Sequence, residues 1–221
     1  DLIEAAHEGN PRITRFDASA FSTQIAGEVK GFDVAKYLSP KEARRLDTFI
    51  HYGLAAAVDA LKDAGIEARP ADAERIGVCI GSGIGGLPLI EETHSALLEG
   101  GPRKISPFFV PGSIINMVSG VLSIQYGFKG PNFATVSACA TANHALGEAQ
   151  RLIEYGDADV MVAGGAESTI SPLGIGSFTA PRALSTRNDD PAAASRPWDA
   201  GRDGFVLGEG AGVLVLEEYE Y

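Results

Sequence analysis

The sequence has few cysteines, little positive charge and no long apolar run. Only two cysteines, Cys79 and Cys139, are present among 221 residues. This excludes a disulfide framework and favours a reducing, cytoplasmic compartment. No stretch approaches the ~20 apolar residues of a membrane span, so no membrane partner is expected. Asp and Glu number 29 against 18 Lys and Arg, a net charge of -11. Because an acidic surface repels phosphate backbones, no nucleic-acid partner is expected either.

Ligand sets for metals and dinucleotides are also missing. Three histidines have no metal-ligand spacing with either cysteine: His7, His51 and His94. We therefore predict no metal site. The segment Gly81–Gly86 matches the G-x-G-x-x-G pattern, but the acidic residue that a dinucleotide site needs about 20 positions later is absent. That region holds Arg103-Lys104-Ile105 instead. No cofactor is predicted, and the glycines are interpreted as a tight turn where a substrate or another backbone approaches closely.

Segments with strand and helix patterns alternate along the chain. A capping box with proline at the first helical position, Ser39-Pro40-Lys41-Glu42, predicts a helix that continues to Gly65. The other predicted elements are strands at 76–80, 132–137 and 159–163, helices at 89–98, 116–126 and 140–155, a stiff loop at 106–112, and a hairpin of 204–207 with 212–216. This alternation indicates an α/β fold with a mixed, mainly parallel sheet.

Cys139 lies where a predicted strand gives way to a predicted helix. A helix N-terminus favours negative charge, which suits a reactive thiolate, and its N–H groups can receive an oxyanion. The spacing alone leaves open the alternative of a small buried hydrophobic residue. Cys79 stands inside an apolar strand and is predicted to be buried and structural. His144 follows Cys139 by five residues, ~140° around a helix, so we predict a packed, hydrogen-bonded histidine rather than a Cys–His dyad.

Basic residues cluster despite the acidic composition. On one continuous helix, Arg44 and Arg45 would each fall within ~60° of Lys41, opposite the apolar positions. Further cations stand at Arg103, Lys104 and Arg182. This pattern fits either a solvated helix face or a docking surface for an acidic partner.

The segment Val136–Thr141, Val-Ser-Ala-Cys-Ala-Thr, closely resembles the nucleophile motif of the β-ketoacyl-acyl-carrier-protein synthases, most of all the synthase II branch. Five other blocks agree with this resemblance: Gly81–Gly86, Gly101–Gly112, Asp157–Glu167, Ala183–Asn188 and Ser195–Gly204. The similarity covers nearly the whole chain.

The resemblance implies a thiolase-like fold with a layered α-β-α-β-α architecture built from two similar halves. The chain resembles the N-terminal half, so residues 1–221 are expected to form one N-terminal thiolase-like domain that is truncated at both ends. In the family, two histidines and a lysine from the second half complete the active site. The chain alone is therefore expected to lack condensing activity.

The resemblance also implies a reaction and its residues. Cys139 would take an acyl chain from acyl-carrier protein as a thioester. Malonyl-carrier protein would then lose CO2, and the resulting carbanion would attack that thioester to give a 3-oxoacyl chain. The implied acyl pocket comprises Ile84, Leu87, Ala138, Gly174 and Phe178, with Phe109 and Val110 reaching into the neighbouring subunit of a homodimer. The implied carrier-protein docking residues are Lys41, Arg44, Arg45, Arg103, Lys104 and Arg182.

Two alternatives remain beside the synthase of fatty acid elongation. One is a polyketide-type ketosynthase subunit. Its non-catalytic, chain-length-determining kind lacks the cysteine, so Cys139 argues against that kind. The other is an inactive fragment that acts only as a packing partner.

Overall fold

The computed structural model describes residues 12–221, which form two compact units. The first, here called the small unit, contains residues 12–33 and 168–210; the second, the sheet unit, contains residues 34–167 and 211–221. The assignment of residues 1–221 to one domain stays a prediction. The α-helices are α1 Pro40–Ala43, α2 Thr48–Asp63, α3 Leu87–Gly100, α4 Phe109–Ser113, α5 Met117–Tyr126, α6 Thr141–Glu154 and α7 Pro172–Thr179. The strands are β1 Ile76–Gly81, β2 Asn132–Phe133, β3 Val160–Glu167 and β4 Gly210–Glu217. Short 3-10 turns occupy Val34–Lys36, Ala73–Arg75, Pro102–Lys104, Ala138–Ala140 and Pro191–Ala193.

The four strands form one sheet in the order β2-β1-β3-β4. Strand β1 is parallel to both β2 and β3. Strand β4 runs antiparallel to β3, because Glu218 N donates to the Asp159 carbonyl at one end while Gly212 abuts Gly164 toward the other. The sheet is therefore mixed and mainly parallel, as the sequence predicts.

Helices cover both faces of this sheet, which makes three layers. Alternate residues of β1 point to opposite faces. Ile76, Val78 and Ile80 join a fully buried cluster with α2 and α5, whereas Cys79 lies in a second cluster with α6. All six residues of β1 are buried. This explains why the strand is a continuous apolar run rather than an alternating one.

The predicted helix from Ser39 to Gly65 is wrong in one respect, because it is two helices. The capping box at Ser39 is present, but α1 ends at Ala43 and α2 begins after Asp47. Asp47 Oδ1 accepts from Phe49 N and its Oδ2 accepts from Leu89 N, at the first turn of α3. A buried aspartate that caps one helix and holds another favours the break.

The predicted hairpin is also wrong. Residues 204–207 form no strand: Phe205 makes a single parallel bridge to Leu184, and the partner of β4 is β3. Gly204 has φ +140° and sits against the backbone of Leu184 and Ser185, a position that a side chain could not share. Two further elements differ: the strand predicted at 132–137 is only Asn132–Phe133, and the loop predicted at 106–112 contains the start of α4.

The small unit has its own apolar cluster and buried acids. Ile13, Ile175 and Leu184 are among the buried members of that cluster. Glu209, whose side chain is fully buried, pairs with Arg15 and accepts from Val29 N and Ser168 Oγ. A buried carboxylate with this many donors ties four separate segments of the unit together. No helix within residues 12–221 is long and apolar enough to cross a membrane.

Candidate active site around Cys139

Cys139 lies in a strained turn directly before α6. The 3-10 turn Ala138–Ala140 leads into the helix at Thr141, and the Cys139 side chain is exposed. Ala138 has φ +52°, a left-handed conformation that costs a non-glycine residue about 1 kcal/mol or more. The turn therefore presents the thiol at the N-terminus of a 14-residue helix, where the helix dipole favours negative charge.

Three hydrogen bonds hold the turn to the helix. Ser137 N donates to Thr141 Oγ1 at 2.8 Å, and Thr135 Oγ1 donates to the Thr141 carbonyl at 3.0 Å. Ser137 Oγ and His144 Nδ1 are 2.5 Å apart. The sequence predicts a hydrogen-bonded His144, and the bond is present, but the side chain is exposed rather than packed.

Glycines at or near the ends of two strands let α6 approach the sheet. A Cβ on Gly81 would lie closer than 3.0 Å to both the Thr135 carbonyl oxygen and Thr141 Cγ2. A Cβ on Gly165 would lie 2.9 Å from Ala142 Cβ. Only glycine leaves room for the first turn of α6 at these points. The interpretation of the glycine run as a place of close backbone approach is confirmed at Gly81.

Glu167, the last residue of β3, binds the glycine turn and was missed by sequence reasoning. Its Oε1 accepts from Ser82 Oγ at 3.0 Å, and its Oε2 accepts from Gly83 N at 2.7 Å and Ile84 N at 3.2 Å. Burial raises the pKa of Glu167, although the hydrogen bonds from the turn oppose that rise. One feature of the sequence could have indicated this role. Glu167 is an acidic residue at the end of a predicted buried strand, and another strand of the same predicted sheet leads into the glycine-rich turn.

An open cavity of about 410 Å³ lies beside this turn. Its lining residues are Ile84, Ser113, Ile114, Ile115, Asn116, Ala134 and Val136. The structure thus brings Ile84 next to the segment that leads to Cys139. A Cβ on Gly83 would lie 3.5 Å from the Ala138 carbonyl, which places the turn against the nucleophile segment itself.

The other predicted pocket residues are not among the residues that line this cavity. Leu87 begins α3, whereas Phe109 and Val110 stand in the short helix α4. Gly174 and Phe178 belong to α7 of the small unit. There a Cβ on Gly174 would overlap the Thr169 carbonyl, and Phe178 packs edge-to-face on Phe205.

The predicted docking cations do not share one helix face. Lys41 is in α1, but Arg44 and Arg45 follow its end, so the helical-wheel grouping is wrong. Arg45 stacks instead on Phe108, with its guanidinium carbon 3.8 Å from the ring centroid. The remaining three are exposed, Arg103 and Lys104 in the 3-10 turn Pro102–Lys104 and Arg182 in the small unit.

The structure describes two of the three histidines for which the sequence predicts no metal-binding role. His51 Nε2 hydrogen-bonds the Ala43 carbonyl at 3.0 Å, and burial lowers its pKa. His94 is exposed on α3, and His7 lies outside the described residues. No group of three or more potential metal ligands occurs within residues 12–221.

Sequence comparisons with known proteins all point to the same family. Residues 2–221 match the family model described as "Beta-ketoacyl synthase, N-terminal domain". The "3-oxoacyl-[acyl-carrier-protein] synthase 2" of Vibrio harveyi is 61% identical over 220 residues, which is 100% of this chain and 53% of that protein. The protein of the same name from Vibrio cholerae serotype O1 is 59% identical over 217 residues, 98% of this chain and 52% of that protein. The chain spans about half the length of the curated relatives it matches.

Solved structures agree with this relationship. The crystal structure of a β-ketoacyl synthase from Burkholderia phymatum superimposes with a TM-score of 0.85 at 34% identity, covering 99% of this chain and 55% of that one. A ketosynthase from a structure described as a "type II PKS acyl-carrier protein in complex with its ketosynthase bound to the hexaketide" gives 0.75 at 29% identity, covering 90% and 55%. The predicted thiolase-like α/β fold of the N-terminal half is confirmed by these neighbours. By sequence and by fold, the chain belongs to the β-ketoacyl synthase family.

Proposed function

We propose that the protein is a 3-oxoacyl-[acyl-carrier-protein] synthase, an acyltransferase of fatty acid elongation, with Cys139 as its nucleophile. The observation that carries the proposal is the exposed Cys139 thiol in a left-handed turn at the start of α6. The names of the relatives at 59% and 61% identity support the reaction class.

The first step is acyl transfer. The Cys139 thiolate attacks the thioester carbonyl of acyl-carrier protein. The new Sγ–C bond forms as the bond to the carrier's sulfur breaks, and the carrier thiolate leaves and takes up a proton. A thiolate suits this exchange because it is both a good nucleophile and a good leaving group.

The second step is condensation. Malonyl-carrier protein loses CO2, and the electron pair of the broken C–C bond forms a carbanion on the remaining two-carbon unit. The carbanion attacks the acyl-Cys139 carbonyl, and the Cys139 thiolate is expelled. The product is a 3-oxoacyl chain, two carbons longer, on the carrier protein.

The acyl pocket is proposed to contain Ile84, Leu87, Ala138, Gly174 and Phe178. Within this set, the position of Ile84 supports the proposal, because Ile84 lines the cavity beside the segment that leads to Cys139. Phe109 and Val110 are proposed to complete the pocket of a neighbouring subunit in a homodimer. Val110 is 59% exposed, and Ile114, which borders the cavity, is 41% exposed. Exposed apolar side chains of this kind are typical of an interface.

The docking surface for acyl-carrier protein is proposed to comprise six cations: Lys41, Arg44, Arg45, Arg103, Lys104 and Arg182. Lys41, Arg44 and Arg45 are close together in the sequence, as are Arg103 and Lys104, and such groups of cations on a protein of net charge -11 favour an acidic partner. The Arg45–Phe108 stack supports a fixed position for at least one of them. A cytoplasmic location is part of the proposal, and it agrees with two free thiols.

A polyketide-type ketosynthase is the second candidate. It is favoured by the fold likeness to the ketosynthase bound to a hexaketide, at 29% identity. The fatty acid enzyme is preferred because the identity to the synthase 2 relatives is about twice as high, 61% against 29%.

The test is a condensation assay on the full-length gene product. Purified enzyme is mixed with acyl- and malonyl-carrier protein, and the 3-oxoacyl product is measured by mass spectrometry. Cys139→Ala should form no product above background, whereas Cys79→Ala should retain activity if it folds. Product formation by Cys139→Ala at the wild-type rate would overturn the proposal.

A further inference from the structure

We infer that Glu167 is a positioning residue that fixes the turn 82–86 and thereby sets how long an acyl chain the pocket admits beside Ile84. This inference rests on the proposed function, because it concerns the same acyl pocket. Glu167 itself does not touch the reacting atoms in this account. It acts through the backbone of the turn.

The carboxylate holds the turn from one side. Both of its oxygens are used, Oε1 by Ser82 Oγ and Oε2 by the amides of Gly83 and Ile84. Ser82 Oγ in turn accepts from Gly85 N at 3.0 Å, which extends the network to the far end of the turn. One side chain therefore fixes, directly or through Ser82, three consecutive backbone N–H groups of the turn that carries Ile84, those of Gly83, Ile84 and Gly85.

The segment 113–115 holds the turn from the other side. Gly86 N donates to the Ser113 carbonyl at 3.0 Å. Gly85 has φ +77°, and a Cβ there would lie 2.8 Å from Ile115 Cγ1. Ile84 is thus clamped between Glu167 and this segment, and its side chain, 40% exposed, faces the 410 Å³ cavity.

The hydrogen bonds to the turn use both carboxylate oxygens of Glu167 as acceptors. A glutamine at 167 offers one acceptor oxygen and one NH2 group. If the oxygen faces the amides of Gly83 and Ile84, the NH2 group donates to Ser82 Oγ, but the two amides then bind a neutral acceptor, whose hydrogen bonds are weaker than those of a carboxylate. If the NH2 group faces the amides, donors oppose donors and the clamp opens. In either arrangement the turn loses part of its restraint, and Ile84 can retract from the cavity.

The experiment measures chain-length discrimination in the full-length gene product. For wild type, Glu167→Gln, Ile84→Ala and the double variant, acyl transfer is followed with hexadecanoyl- and hexanoyl-carrier protein. The readout is the ratio of kcat/KM for the long chain to that for the short chain. Glu167→Gln should raise this ratio by about fivefold, and Ile84→Ala should raise it at least as much. In the Ile84→Ala background, Glu167→Gln should add less than about twofold, since the side chain it positions is gone.

A matched control separates positioning from general stability. Asp159 stands immediately before β3, at the opposite end of the strand from Glu167, and binds Arg75. Asp159→Asn also removes a carboxylate, but one that lies about 25 Å from the turn, the length of β3 away. It should lower stability and leave the chain-length ratio unchanged. Ser82→Ala serves where Glu167→Gln fails to fold, and it should raise the ratio in the same direction.

The outcomes are distinct. Absence of acyl transfer from either substrate in the wild type would contradict the proposed function. Wild-type transfer with a ratio that responds to Ile84→Ala, but not to Glu167→Gln or Ser82→Ala, would overturn the inference alone. The inference would also be overturned if Glu167→Gln changed the chain-length ratio equally in the wild-type and Ile84→Ala backgrounds. The same holds if Asp159→Asn changed the ratio as much as Glu167→Gln does.

Discussion

Replacing Gly81 by alanine tests how the sheet positions the nucleophile. The new Cβ would lie closer than 3.0 Å to the Thr135 carbonyl oxygen and to Thr141 Cγ2. The first is backbone of the segment that leads to Cys139. The second can move by rotation of the Thr141 side chain only if the hydrogen bond from Ser137 N to Thr141 Oγ1 is broken. Overpacking of this kind costs about 1–3 kcal/mol, and we expect the upper end because backbone must shift.

Gly147→Ala is the matched control, because it makes the same chemical change inside α6, the helix that Gly81 of β1 contacts. Gly147 lies inside α6 with nothing within 4 Å of its would-be Cβ. Alanine there should stabilise the protein by about 0.5–1 kcal/mol, since it restricts the unfolded chain and favours the helix.

Urea denaturation gives the two stabilities, and rapid-quench acyl transfer gives the two rates. We expect Gly81→Ala to slow acylation of Cys139 by at least about tenfold, because a displacement near 1 Å can cost about a hundredfold in rate. Gly147→Ala should acylate at the wild-type rate. A Gly81→Ala variant with wild-type stability and wild-type rate would refute the close-approach argument.

Three further predictions follow from single contacts. Ile84→Phe should block transfer of long acyl chains and spare short ones, because a bulkier side chain fills the cavity that Ile84 lines; equal loss for all chain lengths would indicate misfolding instead. Reversing Arg44 and Arg45 to glutamate should raise KM for carrier-bound substrate but not for a small thioester. The difference in KM between wild type and variant should shrink as salt is added, since exposed charges are screened over about 10 Å at 0.1 M. Kinetics that do not depend on salt would indicate that these arginines are solvated and do not bind the carrier. The Arg75 hydrogen bonds lower the pKa of Asp159, so the stability they add is present above the ordinary aspartate pKa and is lost as pH falls through the lowered value. Urea titrations of Asp159→Asn and wild type should therefore differ at pH 7 and converge in acid; a gap that widens in acid would contradict that sign.

Local signals were sufficient for much of the sheet unit. The capping box at Ser39 is present, and the apolar runs at β1 and β3 are buried strands. The left-handed Gly65 and Gly156 each follow a helix, as their positions in the sequence suggest. These features depend on residues close together in the chain, which is why patterning alone predicts them.

The errors come from contacts between distant residues. Asp47 caps α2 locally through Phe49 N, but it also binds Leu89 N, 42 residues away, and no local pattern within the apolar repeat shows that second contact. The hairpin prediction rested on two apolar segments near a glycine pair, but β4 pairs with β3, whose residues lie about 50 positions earlier. Glu167 binds Ser82 across 85 residues, and only the folded sheet brings the two strand ends together.

The most direct test of the account is the site of acylation. Wild-type full-length gene product is incubated with acyl-carrier protein in the absence of malonyl-carrier protein, digested, and mapped by mass spectrometry. The adduct is expected on Cys139, which is exposed at the start of α6. Cys79 should stay unmodified, because it is fully buried and that burial raises the pKa of its thiol to about 11. An adduct on Cys79, or acyl transfer that persists in Cys139→Ala, would contradict the assignment of the nucleophile.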